Sequence, residues 1–194
     1  AQAAGVAAGA EIDVQKNLPV ASGIGGGSAD AAAAIRALMR LWRVDLPAGQ
    51  LSSLARELGA DLTVCMAGRP SLVGAAGERL SPPGALAPLH AVLVNPRLAL
   101  STAAVFAAFA SSPRGADSGC GTPPAWSSEP AEFVRQLASC RNDLTAAALS
   151  LCPAVGDVLA ALGAQPECLL ARLCGSGATC FGLFDTPSAA QAAA

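Results

Sequence analysis

A glycine-rich segment near the start of the chain has the composition of a phosphate-binding loop. Four of the five residues 23–27 are glycine, and glycine lets a backbone turn sharply and approach a ligand because it has no Cβ. The alanine run 31–34 behind it is a strong helix former. A loop that leads into a helix N-terminus presents unpaired N–H groups and the positive end of the helix dipole, which together suit phosphate. The segment therefore predicts a nucleotide-binding protein.

Two common phosphate motifs do not match this segment. A Walker A loop ends in Gly-Lys-Ser/Thr, whereas Gly27 is followed directly by Ser28 and Lys16 is the only lysine of the chain. A Rossmann loop needs a third glycine where this chain has Ser28, and Pro19 interrupts the strand that should precede it. A glycine loop that binds no ligand stays the alternative at this point. If the loop binds nucleotide, valine at Gly25 or Gly26 should abolish binding, because a β-branched side chain is poorly tolerated at positive φ and blocks the close approach of a ligand.

The spacing of two predicted helices brings one carboxylate back towards this loop. A helix of about 16 residues carries the chain roughly 24 Å away, and a second helix of about 13 residues, starting near Pro47 and stopping at Gly59, returns roughly 20 Å. The short connection 44–46 favours an antiparallel pair. Asp61 should therefore lie near the loop, where it could accept the proton of an attacking hydroxyl or orient that hydroxyl. The alternative is that Asp61 only caps the helical turn that follows it.

Hydrophobic periodicity predicts a mixture of helices and strands. The predicted strands span residues 11–15, 70–75, 89–95, 169–173 and 179–184, and the later helices span 101–109, 132–139, 142–151 and 155–162. Ser101-Thr102 is the predicted cap of the first of these helices, and Asn142 the predicted N-cap of the third. His90 fits a strand better than a catalytic role. The segment 111–130 is rich in Ser, Gly and Pro, which predicts a flexible loop containing Cys120.

Composition disfavours several classes of partner. The net charge is −2, tyrosine is absent and no basic block occurs, so nucleic acid is not expected as a partner. No apolar run of membrane-spanning length lacks Gly, Pro or charge, and no signal peptide opens the chain, so no membrane partner is expected either. The seven cysteines are scattered, which favours reduced thiols in the cytoplasm, and a single histidine makes a zinc site a poor fit. Nothing in the sequence indicates the oligomeric state.

Four segments resemble, in order, the conserved motifs of the GHMP kinases, which are ATP-dependent kinases of small molecules. The first is the glycine segment Leu18–Asp30, and the others are Gly59-Ala60-Asp61-Leu62, Arg141-Asn142-Asp143-Leu144 and Cys174-Gly175-Ser176-Gly177-Ala178-Thr179-Cys180-Phe181. The triple glycine and the run Ser-Ala-Asp-Ala-Ala look most like the members that phosphorylate a hydroxyl of a cytidine-diphosphate-linked methylerythritol, a small-molecule substrate of non-mevalonate isoprenoid biosynthesis. A GHMP kinase acting on mevalonate, homoserine or a sugar is the alternative within the superfamily.

The resemblance implies a two-lobed α+β fold and assigns roles to named residues. Residues 1–88 would form part of an ATP-binding lobe like ribosomal protein S5, and residues 89–194 a ferredoxin-like lobe that includes the flexible loop 111–130. Asp61 would be the catalytic residue, and Ser28 could also contact Mg²⁺. The turn Gly175-Ser176-Gly177 would support the phosphate loop, and Asn142 and Asp143 would be structural. The residues implied to bind ATP are Pro19, Val20, Ala21, Ser22, Gly23, Ile24, Gly25, Gly26, Gly27, Ser28 and Ala29.

The chain departs from the family pattern at three places. No Ala-Lys-Ile-Asn-Leu-like strand, whose lysine partners the family's aspartate, precedes Ile12, and Lys16 corresponds to a different family position. Thr63 stands where the family usually has proline. The last residues fall within what resembles the family's final helix. We therefore expect a fragment that lacks most of the cytidine-binding surface and is inactive by itself, and a nucleotide-binding piece without catalysis is the alternative from another functional class.

Overall fold

The computed structural model describes residues 4–18, 22–59, 61–74, 79–84, 86–112 and 126–194. The chain divides into two compact units. Unit 1 comprises Ala1–Leu18 and Gly25–Pro83, and unit 2 comprises Pro19–Ile24 and Gly84–Ala194. Both contain helices and antiparallel strands, as the predicted α+β class requires. The domain limit between residues 88 and 89 stays a prediction.

The described part of unit 1 contains three helices and a pair of antiparallel strands. In chain order these are α1 (Gly26–Trp42), α2 (Ala48–Leu58), α3 (Leu62–Ala67), β1 (Leu72–Gly74) and β2 (Arg79–Ser81), with β1 and β2 paired antiparallel. Each helix gives one residue to a small core, namely Ala32, Ala55 and Leu62. Because two of the three are alanines, the helix backbones can approach closely at this core.

The predicted first two helices are confirmed. Ala32 in the alanine run of α1 is completely buried. Helix α2 starts after Pro47, as predicted, and ends at Gly59, whose φ of 135° is a conformation that glycine adopts without penalty. Leu58, the last residue of α2, is exposed.

The predicted strand at residues 11–15 is wrong. Ile12 and Val14 are 55% and 49% exposed, and none of the strands in the described part of the chain pairs with this segment. Alternating polar and apolar residues indicate which face of a strand would be buried, but a strand also needs a neighbour that accepts and donates its backbone hydrogen bonds. The described residues supply no such neighbour.

Unit 2 contains a three-stranded antiparallel sheet with helices packed on it. The strands β3 (His90–Val94), β4 (Cys168–Leu173) and β5 (Cys180–Phe184) lie in the order β3-β5-β4, so the last strand in sequence is central in the sheet. The described helices of this unit are α4 (Thr102–Ser111), α5 (Pro130–Ser139), α6 (Thr145–Leu151), α7 (Ala154–Gly163) and α8 (Pro187–Ala192).

The core of unit 2 lies between one face of this sheet and four helices. Phe184 of β5 and Leu173 of β4 are almost completely buried there, with Val105 of α4 and Val155 of α7. Residues 168–173 and 180–184 form the predicted strand pair, in which Leu173 is opposite Cys180. That register places the turn 175–177 at one end of the sheet.

Several local predictions for unit 2 are confirmed and one is wrong. The Ser101 Oγ accepts a hydrogen bond from the Ala104 N–H at 3.3 Å and caps α4, as predicted. His90 lies in β3 opposite Phe184. Asn142 is not the N-cap of α6, which starts three residues later at Thr145. Of the predicted loop 111–130, residues 113–125 with Cys120 lie outside the described residues, Ser111 ends α4 and Pro130 begins α5.

Candidate active site

Three backbone donors at the start of α1 have no acceptor among the residues that the structure describes. Gly25 precedes the helix with a φ of 71°, no side chain caps the end and no acidic residue lies in the first turn. The Ala29 N–H donates to the Gly25 carbonyl at 2.9 Å. The N–H groups of Gly26, Gly27 and Ser28 donate to no acceptor in the described part of the chain. Free N–H groups at the positive end of a helix dipole favour an anion such as phosphate.

Of the two glycines at which valine is predicted to abolish binding, only Gly25 has a positive φ. Gly25 adopts the positive φ that excludes a β-branched residue. Gly26 is helical, and a Cβ there would meet nothing within 4 Å. The argument from positive φ is therefore wrong for Gly26, where only the approach of a ligand could exclude a side chain.

Asp61 lies beside the start of α1, as the helix lengths predicted. Its Oδ2 is 3.7 Å from the point that a Cβ on Gly25 would occupy. Asp61 precedes α3, but its side chain makes no capping hydrogen bond to that helix. The capping alternative is therefore not what the structure shows, and the carboxylate is exposed at the free end of α1. Its catalytic role stays a prediction.

Helix α1 lies close to the segment that carries Asp61 at two places. Ser28 Oγ is 3.7 Å from the point that a Cβ on Gly59 would occupy, so the glycine allows the two segments to approach. Further along, the Arg36 guanidinium donates to the Cys65 carbonyl of α3 at 3.0 Å. Ser28 thereby places a hydroxyl oxygen beside the turn that leads to Asp61.

Lys16 is engaged by a carboxylate of α1. Its ammonium group pairs with Asp30, and both side chains are more than a third exposed. An exposed pair of this kind contributes little to stability. Lys16 therefore pairs with Asp30 of α1, and the described ion pairs include none between Lys16 and Asp61.

In unit 2, the beginning of the predicted phosphate loop packs on the turn 175–177. Gly23 has a φ of 78°, and a Cβ on it would overlap the Gly177 carbonyl oxygen. The Ser22 carbonyl accepts a hydrogen bond from the Thr179 N–H at 3.1 Å, and Ser22 is buried. The predicted support of the loop by this turn is confirmed for Ser22 and Gly23. Ile24 is half-buried in the same unit, whereas Pro19, Val20 and Ala21 lie outside the described residues.

The turn is itself held by polar side chains of unit 2. The Asn142 Nδ2 donates to the carbonyls of Leu173 at 3.1 Å and Gly175 at 2.7 Å, and its Oδ1 accepts from the Leu144 N–H. The hydroxyls of Thr102 and Ser176 are 2.9 Å apart. These bonds give Asn142 the structural role that was predicted for it.

Asp143, by contrast, takes no part in holding the turn. It forms an exposed pair with Arg141, in which the Arg141 Nε donates at 2.6 Å.

Sequence reasoning missed Asn95, whose Nδ2 donates to the Thr179 hydroxyl at 2.8 Å. The only signal was an Asn-Pro dipeptide that begins at the last residue of the predicted strand 89–95, which indicates a turn and no function. Thr179 lies inside a recognised motif, yet nothing in its type or spacing indicated that it bonds to Ser22.

The thiols near this turn are poor nucleophiles. Burial raises the pKa of the Cys180 thiol to about 11, and the nearby Cys174 and Cys152 add to the rise. Burial also raises the pKa of Cys174. Since the thiolate is the reactive form of cysteine, neither residue is a nucleophile near neutral pH. Across the residues that the structure describes, no three His, Cys, Asp or Glu side chains are grouped to hold a metal ion, and no helix is long and apolar enough to cross a membrane.

Comparison with known families accounts for both units. The model of the GHMP kinases N terminal domain matches residues 1–69, and that of the GHMP kinases C terminal matches residues 130–194. The 4-diphosphocytidyl-2-C-methyl-D-erythritol kinase of Paramagnetospirillum magneticum is 50% identical over all 194 residues, which cover 67% of that protein. The chain belongs to the GHMP kinase family. GHMP kinases are ATP-dependent kinases, and the fold described above is theirs.

Two further GHMP kinases, one curated relative and one solved structure, are also similar to this chain. The kinase of the same name from Gluconacetobacter diazotrophicus is 51% identical over 181 residues, which are 93% of this chain and 58% of that protein. A crystal structure of 4-(cytidine 5'-diphospho)-2C-methyl-D-erythritol kinase matches with a TM-score of 0.76 and 34% identity, covering all of this chain and 68% of the other. The chain thus spans about two thirds or less of the length of the curated relatives.

Proposed function

We propose that this chain carries the phosphate loop and the catalytic aspartate of an enzyme that transfers the γ-phosphoryl group of ATP to a hydroxyl of 4-diphosphocytidyl-2-C-methyl-D-erythritol. The observation that supports this most directly lies within unit 1. Three N–H groups at the start of α1, which donate to none of the described residues, adjoin the exposed carboxylate of Asp61. Phosphoryl transfer needs both features, namely donors for the phosphate oxygens and a group that orients the attacking hydroxyl.

The phosphate oxygens of ATP would be bound mainly by backbone N–H groups of the loop Pro19–Ala29. Gly26, Gly27 and Ser28 offer theirs directly, whereas the Ala29 N–H is already bonded to Gly25. Ser22 and Gly23 would contribute differently, because they are bound to the turn 175–177 and so fix the path of the loop. Backbone recognition needs such a fixed path, since donors that must reorganise lose much of their effect.

Asp61 would act on the acceptor hydroxyl. As the hydroxyl oxygen bonds to the γ-phosphorus and the bond to the ADP oxygen breaks, the hydroxyl proton would pass to the Asp61 carboxylate. A carboxylate can also serve only to orient the hydroxyl for in-line attack. Either role needs an exposed carboxylate with no competing hydrogen bond to α3, and this is how Asp61 lies.

Ser28 fits a role at a magnesium ion bound with ATP. Mg²⁺ prefers oxygen ligands, and it usually takes only one or two from the protein while keeping waters and nucleotide phosphates. The Ser28 hydroxyl beside Gly59 is such a ligand, so the lack of a group of three acidic or histidine side chains among the described residues does not conflict with it. Bound there, the ion would neutralise charge on the transferring phosphoryl group.

The acceptor is proposed from the names of the relatives, which are about half identical over 93% to 100% of this chain. The names of these relatives give a cytidine-diphosphate-linked methylerythritol as their substrate. The cytoplasmic location predicted from the scattered cysteines remains part of this proposal and rests on composition alone.

The direct test is a transfer assay on the protein as its gene encodes it. The protein is incubated with ATP, Mg²⁺ and, separately, 4-diphosphocytidyl-2-C-methyl-D-erythritol, mevalonate, homoserine or galactose, and formation of a phosphate monoester is followed by ³¹P NMR. We expect transfer to the first acceptor only. Transfer to another acceptor would assign the chain to a different GHMP kinase, and nucleotide binding without transfer to any acceptor would leave only a binding role.

A further inference from the structure

Thr179 uses each of its polar atoms to join a different segment of unit 2. Its carbonyl accepts from the Cys174 N–H at 2.9 Å and closes the turn 175–177. Its N–H donates to the Ser22 carbonyl at 3.1 Å, and its hydroxyl accepts from the Asn95 Nδ2 at 2.8 Å. The residue is only 3% exposed, so water does not compete for these groups. A buried polar group that loses its partner pays the full cost of desolvation, so the three bonds define one position for Thr179.

Asn95 is fixed in the orientation that this arrangement needs. Its Oδ1 accepts from the Arg97 N–H at 2.7 Å, which leaves the amide nitrogen to face Thr179. Arg97 has a φ of 59°, a conformation that a residue other than glycine rarely adopts without support. The tight turn after β3 therefore determines which atom of Asn95 meets the Thr179 hydroxyl.

The pairing of β3 with β5 brings Asn95 next to Thr179. Val94, the last residue of β3, is opposite Cys180, the first residue of β5. The residues that follow β3 and precede β5 therefore meet at the same end of the sheet, where Ser22 also lies against Thr179. Asn95 thus reaches the phosphate loop through one intermediate residue.

We infer that Asn95 is a positioning residue for ATP binding, which acts through the Thr179 hydroxyl to hold the Ser22–Gly23 part of the phosphate loop. The inference rests on the proposed function of that loop in binding ATP. The Asn95 side chain bonds to Thr179 and to the Arg97 N–H, and we assign it no direct bond to the nucleotide. It fixes Thr179 so that the Thr179 N–H stays directed at the Ser22 carbonyl, and the loop backbone keeps one shape before ATP arrives.

The test combines Thr179→Val, which removes the hydroxyl and keeps the shape and the backbone, with Asn95→Leu and the double variant. Each is assayed for the KM of ATP, the KM of the acceptor and the dissociation constant of ATP by calorimetry. Loss of one hydrogen bond corresponds to about a two- to tenfold change in an equilibrium constant. We expect a change of that size for ATP in each single variant, and no change in the KM of the acceptor.

Two results distinguish positioning through Thr179 from independent effects. Thr179→Ser keeps the hydroxyl and should restore the ATP affinity of the wild-type protein. The double variant should be no weaker for ATP than the worse single variant, because both substitutions break the same bond. Effects that add in the double variant, or a serine variant as weak as the valine variant, would overturn the inference.

Thr186→Val is the matched control. The Thr186 hydroxyl accepts from the Ala189 N–H at 3.1 Å and caps α8, after the opposite end of β5. Its loss should lower the melting temperature and leave the KM of ATP unchanged. An equal rise in the KM of ATP would mean that Thr179 and Asn95 act only through general stability. If the wild-type protein binds no ATP, the proposed function fails; if it binds ATP and the variants bind equally well, only this inference fails.

Discussion

At the scale of single residues, Asp61 is set apart by the bonds that it does not make. A residue at this position normally stabilises the following helix by accepting an N–H bond, but the Asp61 side chain makes no such bond to α3. Its carboxylate is available next to Gly25 instead. A substitution of Asp61 should therefore change catalysis and leave the stability of the fold unchanged.

Asp61→Asn should abolish turnover while leaving the fold intact. The amide keeps the size of the side chain but cannot accept the proton of the acceptor hydroxyl, and loss of a positioned base typically lowers the rate by about 10²–10⁴-fold. Steady-state kinetics should show the fall in kcat, and calorimetry should show ATP affinity close to that of the wild-type protein. The melting temperature should change little, because no capping bond is lost.

Asp157→Asn provides the control for this substitution. Asp157 is an exposed carboxylate in the first turn of α7, where it interacts with the helix dipole. Its replacement should cost about 0.3–1 kcal/mol of stability and leave kcat unchanged. Turnover of Asp61→Asn within a few-fold of the wild-type rate would show that the carboxylate is not catalytic.

Gly23→Ala should destabilise the protein by more than backbone strain alone explains. A left-handed conformation costs an L side chain about 1–2 kcal/mol, and at Gly23 the new methyl group would also overlap the Gly177 carbonyl oxygen. Gly68 has a φ of 60° with nothing within 4 Å of its Cβ position, so Gly68→Ala measures the strain by itself. Denaturant unfolding of the two variants gives the difference. Equal losses would show that the loop and the turn are not in contact at Gly23.

At the scale of elements, α1 begins with residues that weaken it as a helix. Gly26 and Gly27 occupy its first two positions, and neither Cβ position meets another atom within 4 Å. Glycine costs a helix about 0.5–1 kcal/mol relative to alanine. No packing contact therefore requires glycine there, and access of a ligand to the N–H groups is the remaining reason.

Gly27→Ala should make the protein more stable and weaken its affinity for ATP. The free energy of unfolding should rise by up to about 0.5–1 kcal/mol, because alanine is the better helix former. The new Cβ would point towards the helix N-terminus, where the phosphates are proposed to lie. Thermal unfolding and calorimetry with ATP measure the two effects on the same sample.

Gly49→Ala is the matched control, because Gly49 is the second residue of α2 and also has open space around its Cβ position. It should give a similar gain in stability with no change in ATP affinity. If Gly27→Ala binds ATP as well as Gly49→Ala does, phosphate does not approach the start of α1.

The elements that could be predicted from the sequence are those whose partners lie nearby in the chain. The β4–β5 pair has a short connection, and α1 and α2 each show a local apolar period, so local pattern and turn residues were enough to predict these elements. The strand at 11–15 depended on a neighbour that no local signal identifies, and this prediction was wrong. Asn142 was misplaced as a cap for a similar reason, since its side chain bonds to the distant carbonyls of Leu173 and Gly175.

At the scale of the whole molecule, the residue types at the candidate site were predictable while most of the bonds that position them were not. Helix lengths alone brought Asp61 to the start of α1, because rise per residue is a fixed quantity. Asn95 and Thr179 are 84 residues apart in the chain, and they come within hydrogen-bond distance only because β3 pairs with β5. Such contacts follow from sheet order, and propensity and spacing do not determine sheet order.

Alkaline pH should destabilise the fold through Cys180. In the unfolded chain this thiol ionises near its ordinary pKa of 9.0, and in the folded protein burial raises that pKa to about 11. Between these values the unfolded state holds fewer protons, so the free energy of unfolding falls as pH rises from about 9 to about 11. Below pH 9 this thiol should contribute no slope.

Urea unfolding at a series of pH values, with Cys180→Ala for comparison, measures this effect. The alanine variant should lose stability less steeply over the alkaline range, although the raised pKa of Cys174 should leave it some slope. Identical slopes in the two proteins would show that the Cys180 thiol is not shielded from solvent in the fold.

The contact between Gly23 and Gly177 has a genetic consequence. A substitution that clashes with a neighbouring side chain can be compensated by a second change that makes that side chain smaller. At Gly23 the obstruction is the Gly177 carbonyl oxygen, an atom that all twenty amino acids carry. No exchange at position 177 can remove it, so a suppressor screen that starts from Gly23→Ala should yield reversion to glycine and no compensating substitution at that position. A mutagenesis library for this protein can therefore leave codon 23 unvaried without losing functional sequences.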